Sequence, residues 1–288
     1  MRTSWIIVIG SACLASMWAT GCRKSAGTAP LAEVTAITAD TLPDDPDDPA
    51  WRAAPEYQAA LLLQDLVEPR LMTASTPVLR VRALLAGERL AVRLEWDDAT
   101  QDDVLGAAAF SDACAVQVPQ VVEDVLPAPQ MGESGRPVEI TLWKAVWQRN
   151  LESEDRGIRS VYPNAVVDHY PFEAASLKPG SPPQREMADR YAPAKHVGND
   201  IAQPKSSPVQ DLTAEGPGTI TVQPQGSIGR GRRTQTGWAV VIVRKLGRGF
   251  TPDRLGQIAF AVWDAAHGEV GSRKMRTAWI PLKMGGTP

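Results

Sequence analysis

At 288 residues the chain is long enough for one large domain or two small ones, and its 43% apolar residues can supply a substantial core. A formal net charge of -3 argues against a nucleic-acid surface, which is built from clustered Lys and Arg. With three cysteines and no Cys-x-x-Cys-His run, the chain can hold neither a covalently attached c-type haem nor a cysteine-ligated iron–sulfur cluster.

Arg2, the apolar run Trp5 to Met17 and the small residues Ala19-Thr20-Gly21 have the charged start, short apolar middle and small-residue end of a secretory signal over residues 1–21. Because these lead directly into Cys22, the segment resembles a bacterial lipoprotein signal, in which Cys22 becomes the lipidated first residue. That predicts a periplasmic or otherwise extracytoplasmic protein held to a membrane by its lipid alone. No arginine pair precedes the run, so the general secretory route is expected. With Cys13 removed and Cys22 modified, Cys114 is left to pack as a small hydrophobe in Ala113 to Val118. Residues 22–50 end in LPDDPDDPA, an acidic, proline-rich run that reads as a tether, with a folded domain over 51–288 opened by Trp51.

Val78 to Leu85 and Arg89 to Trp96 alternate apolar with charged residues and form a hairpin through Ala86-Gly87-Glu88. Asp97, Asp98, Asp102, Asp103 and Asp112 follow. They carry enough carboxylate for calcium but lack the spacing of a calcium loop, so solvated turn charges are expected. Glu95 and Asp97 share a strand face, as exposed charged pairs commonly do, and make a weak glycosidase pair. A strand from Ala113, the turn-rich VLPAPQMGESGRP and a strand over Val138 to Trp147 come next; Met131 stands in that turn, outside any apolar periodic run.

Residues 151 to 210 are irregular and carry His169 and His196; a connection of that length covers something or meets a partner. Strands Ile220 to Pro224 and Gly237 to Arg244 are expected to pair through a turn holding Arg230, Arg232 and Arg233, with WAVVIVRKL buried on both faces. A closing hairpin joins Ile258 to Trp263 and Met275 to Leu282 across a polar turn with His267, Gly268 and Gly271. Together these runs predict an all-β fold, a mostly antiparallel β-sandwich with long irregular loops. Neither a nucleophile elbow, a phosphate loop, a His-Glu-x-x-His helix nor a dinucleotide-binding glycine pattern is found.

Three separated blocks carry a resemblance. FAVWD followed by a polar turn, Arg273-Lys274 and a strand reaching Trp279 is one; Gln130-Met131-Gly132, between FSDACAVQ and a strand containing Trp143-Lys144, is the second; VQDLTAEGPGT is the third. Together they resemble the haem b subunit of type II dimethylsulfoxide-reductase-family complexes, such as ethylbenzene dehydrogenase, dimethylsulfide dehydrogenase, selenate reductase and chlorate reductase. The similarity runs from Trp51 to Leu282 and is weakest over residues 151–205. It implies one haem b with Met131 and Lys274 as axial ligands, in a non-catalytic electron-transfer subunit. By the same resemblance the partners are the iron–sulfur and molybdenum subunits of a complex and an external carrier such as a soluble cytochrome c. Trp96-Asp97-Asp98 is also similar to family-9 carbohydrate-binding modules, which share the sandwich.

Chemically, such ligation needs a soft thioether and a deprotonated amine converging on an apolar slot, expected between the two sheets. Met275 could replace Lys274 if the strand register slips by one, and Lys205, His267, His169 and His196 are further candidate ligands. The competing function is an exported carbohydrate-binding module without haem, with Trp96, Trp143 and Trp147 as its sugar platform.

Overall fold

The computed structural model describes residues 31–153, 161–165, 177–178, 180–199, 205–251 and 253–286. The signal segment, Cys22 and His169 lie outside them. The strands run β1 (Val34–Thr38), β2 (Tyr57–Ala60), β3 (Leu62–Leu63), β4 (Val78–Ala86), β5 (Arg89–Asp97), β6 (Ala113–Pro119) and β7 (Val138–Lys144). Helices α1 (Ala145–Glu152), α2 (Pro182–Arg190) and α3 (Pro193–His196) follow. The chain then returns to strands with β8 (Val209–Ala214), β9 (Thr221–Val222), β10 (Ile228–Arg233), β11 (Gly237–Lys245), β12 (Gly256–Trp263), β13 (Met275–Arg276) and β14 (Ile280–Gly286).

Two layers result, giving the expected all-β sandwich. The first has the order β10-β11-β5-β4-β1-β14, with β2 also on β4; the second has β9-β8-β7-β6-β12-β13-β3. Strand β12 belongs to both. Its residues 256–258 pair with β14 in the first layer, and 259–263 pair with β6 in the second. The main core lies between the layers, where Val81, Leu94, Val116, Ile242, Phe260 and Cys114 meet. Period-two alternation on β4 and β5 turns Val81 and Leu94 inward and leaves Arg80 outside, 3.0 Å from Glu95 and 2.9 Å from Asp97. β11 is buried on both faces as expected, because Trp51 and Ile37 cover Val241 and Val243 from outside.

Several expectations are corrected. Residues 34–38, within the stretch read as a tether, form β1, which lies parallel to both β14 and β4, so the fold begins before Trp51. The strand expected through Trp147 stops at Lys144 and continues as α1. Arg230, Arg232 and Arg233 are in β10 rather than a turn, and Arg232 pairs with Asp45 at 2.9 Å. Glycines hid that strand: a Cβ on Gly231 would sit 2.1 Å from the Trp143 ring, so only glycine lets β10 pass over it. The second arm of the closing hairpin divides, β13 pairing with β12 in one layer and β14 with β1 in the other. Among the described residues no helix is long and apolar enough to cross a membrane.

Candidate functional site

The outward face of the second layer carries a flat apolar floor. Register aligns Trp263, Ala113 and Lys144 in one row, Ala261, Ala115 and Leu142 in the next, and Ala259, Gln117 and Ile140 in the third. Four alanines on two neighbouring strands raise no bulk above the sheet, so a flat ligand can lie against it. Above this floor is a cavity of about 470 Å³, a size typical of sites for organic ligands. It lies on the outside of one sheet, and this corrects the expectation of a slot between the layers. The physical reason is packing: the inter-sheet space is filled by large side chains, among them Trp96, Trp143 and Trp238 in edge-to-face contact.

Met131 and Lys274 both line this cavity. Met131 has φ +70°, one of two non-glycine residues in the left-handed region among those described, and Gly132 follows at φ +79°. Holding a non-glycine residue there costs on the order of 1–2 kcal/mol, so the surrounding contacts impose it. The Gly216 N–H donates to the Met131 carbonyl at 2.8 Å, and the Gln117 side-chain amide donates to the Pro129 carbonyl at 3.1 Å, tying the loop to the floor. A Cβ on Gly132 would meet the Ala214 and Arg136 carbonyl oxygens at 2.8 and 2.9 Å, which explains the glycine after this methionine. The thioether packs against the apolar group that includes Ala115, Ile140 and Leu212.

Lys274 enters from the other end, beside Trp263. The β12–β13 register pairs Arg276 with Ala261 and Met275 with Val262, so alternation turns Lys274 and Arg276 toward the cavity. The Lys274 Nζ lies 5.0 Å from the Trp263 ring centroid, and the Trp263 indole is fixed by donating to the Gly271 carbonyl at 3.0 Å. Burial pushes the Lys274 amine down to about 8, and the adjacent Arg276 guanidinium adds to the shift. Once deprotonated, an amine lining this apolar cavity can donate its lone pair to a metal.

The other candidates fall elsewhere. Met275 is 1% exposed in the inter-sheet core. Lys205 lies 5.8 Å over the Trp147 ring, and His267 is exposed on its turn with Nδ1 2.8 Å from Asp264. His196 is exposed on α3 beside the Asp189 carbonyl. The proposed sugar platform is not a surface at all: Trp96, Trp143 and Trp147 are 0%, 0% and 2% exposed. Sequence reasoning missed the alanine floor, Trp263 and Arg276. The pairs Ala113/Ala115 and Ala259/Ala261, two apart on predicted strands, were the available signal.

A protein-family model described as ethylbenzene dehydrogenase matches residues 48–275. A protein of Haloferax mediterranei that carries the name respiratory nitrate reductase heme subunit is 24% identical over 247 residues, covering 83% of this chain and 67% of its own.

Proposed function

Because the chain belongs to the ethylbenzene dehydrogenase family, we propose that it is a haem b-binding electron-transfer subunit of an oxidoreductase complex, with Met131 and Lys274 as the residues that would hold the iron. One observation carries the assignment. A strained methionine and a lysine depressed by burial, 143 positions apart by their numbers, line one cavity over a floor of small residues. The residues fit a flat macrocycle with a central metal: the alanines leave room for the plane, and the thioether and amine supply one soft and one hard donor.

When bound, the haem supplies a one-electron couple. The chain does the rest. Met131, fixed by Gly216 and the Gln117 tie, presents sulfur, which favours the reduced state. Lys274 would have to give up its proton to hold the iron, and burial lowers the cost of losing it. Leu142, Ile140 and Leu212 line the cavity and would exclude water around the group, and with both Met131 and Lys274 holding the iron the site would exchange electrons without bond chemistry. The partners fitting this role are the iron–sulfur and molybdenum subunits of a respiratory complex and a soluble cytochrome c as external carrier. Export and lipid attachment at Cys22 would place that complex on the extracytoplasmic side; fatty-acid labelling that depends on Cys22 supports the anchor, and labelling of a Cys22→Ala variant rejects it.

Optical and electron-paramagnetic spectra of the purified, haem-supplied protein test the ligand assignment. A low-spin haem signal in the wild type, lost in Met131→Ala and in Lys274→Ala, is expected. A colourless folded protein, or unchanged spectra in both variants, overturns it.

A further inference from the structure

At the end of the sandwich nearest Lys274, three buried aspartates converge from three strands. Asp98 directly follows β5, Asp112 directly precedes β6 and Asp264 directly follows β12, and one oxygen from each lies within 4.8 Å of the others. By sequence pattern alone Asp98 and Asp112 are expected to be solvated turn charges. In the fold they are 4% and 0% exposed, and Asp264 is 5% exposed.

The hydrogen bonds around them are incomplete in a telling way. Asp112 is satisfied: Oδ1 accepts from the Ala265 N–H at 3.1 Å, and Oδ2 from the Asp102 N–H at 2.8 Å and the Trp238 indole at 3.0 Å. Asp98 Oδ1 accepts from the Thr100 N–H at 2.9 Å and its hydroxyl at 3.3 Å, while Oδ2 has no partner. Asp264 Oδ2 contacts His267 Nδ1 at 2.8 Å, while Oδ1 has no partner. Two buried carboxylate oxygens without donors are costly unless something positive meets them. Glu269, 1% exposed, adds a fourth carboxylate, accepting from Ser75 Oγ at 2.5 Å and from the Asp264 N–H at 3.0 Å. Facing them are the Arg233 guanidinium, which donates to the Asp98 carbonyl at 2.6 Å, and the exposed His267. Four carboxylates against these two cations leave a negative excess.

We propose that Asp98, Asp112 and Asp264 bind a calcium ion that ties the ends of β5, β6 and β12 together at the base of the turn leading to Lys274. Calcium takes oxygen ligands in a flexible geometry, whereas magnesium demands a near-ideal octahedron and keeps several of its waters, which side chains only 0–5% exposed do not accommodate. An all-carboxylate donor set also suits a hard cation over zinc. The inference is independent of haem, since none of the three aspartates lines the haem cavity.

Thermal melts and terbium luminescence on the purified full chain test it. Calcium at about a hundredfold over its dissociation constant should raise the wild-type Tm above that in chelator by roughly 5–10 °C and displace bound terbium. Asp98→Asn and Asp264→Asn should lose both responses. In chelator these variants should melt at or above the wild type, because each removes a repelling charge. A wild type with neither response overturns the site, and so do variants that keep both. If a variant fails to fold, the wild-type calcium and terbium results decide alone. Magnesium producing the same shift at equal concentration would overturn the choice of calcium.

Discussion

Lys274 and Met275 are neighbours in the chain and face opposite sides of the same sheet: the lysine opens on the outer cavity, and the methionine is 1% exposed against Val262 in the core. Their substitutions should therefore separate. Lys274→Ala should abolish low-spin haem and leave the fold intact. Met275→Ala should keep the haem spectrum and lose about 2–5 kcal/mol of stability, as large-to-small core changes do. Denaturant unfolding with parallel haem spectra checks both.

The amine of Lys274 makes the haem-free protein sensitive to pH. It ionises near 8 in the folded chain and near 10.5 when free of its surroundings. Between those values the unfolded chain holds the extra proton, so stability rises with pH across the window and the penalty is fullest below pH 8. At about 1.4 kcal/mol per unit the penalty is roughly 3 kcal/mol. Haem-free Lys274→Met should thus be more stable than wild type at pH 7, with the gap closing toward pH 10.5 in urea titrations.

If Lys274 holds the iron as proposed, proton and iron compete for the same lone pair. Haem affinity should rise about tenfold per pH unit below pH 8 and level off above it. A flat profile in haem titrations from pH 6 to 9 would mean that the amine does not bind the metal.

Gly132→Ala should disturb the Met131 side. The added methyl meets two backbone oxygens at a φ of +79°, for a cost of about 1–3 kcal/mol. Reduced low-spin content and a lower Tm are the expected results.

Ala261→Leu would raise a branched side chain from the middle row of the floor, opposite Arg276. It should weaken haem binding at least tenfold while the haem-free Tm moves only a few degrees, because the side chain faces the cavity and not the core. Haem titration and scanning calorimetry measure the two effects.

Much of this was legible in the chain. The alternating arms of β4 and β5, the continuous apolar run of β11 and the meeting of Met131 and Lys274 at one apolar cavity followed from pattern and resemblance, but the place of that cavity outside the second layer did not. What escaped depended on partners distant in sequence. β1 is a five-residue run beside a proline- and aspartate-rich stretch, and only β4 and β14 make it a strand. β10 is polar and glycine-rich because Trp143 needs the space. Trp96, Trp143 and Trp147 read as a sugar surface since sequence does not reveal which face of a sandwich strand is inside. Asp98 and Asp112 lack loop spacing because their third member, Asp264, comes from the far end of the chain.

The parallel placement of β1 between β4 and β14 has a consequence for biogenesis. The first layer cannot close until β14 has been synthesised, and loop-closure entropy delays such distant pairing. A nascent chain lacking β14 leaves an edge of β1 bare and also holds Lys274 in an unfinished frame. Cofactor capture should thereby wait on β14, so that products truncated before it are expected to be both uncoloured and open to proteolysis.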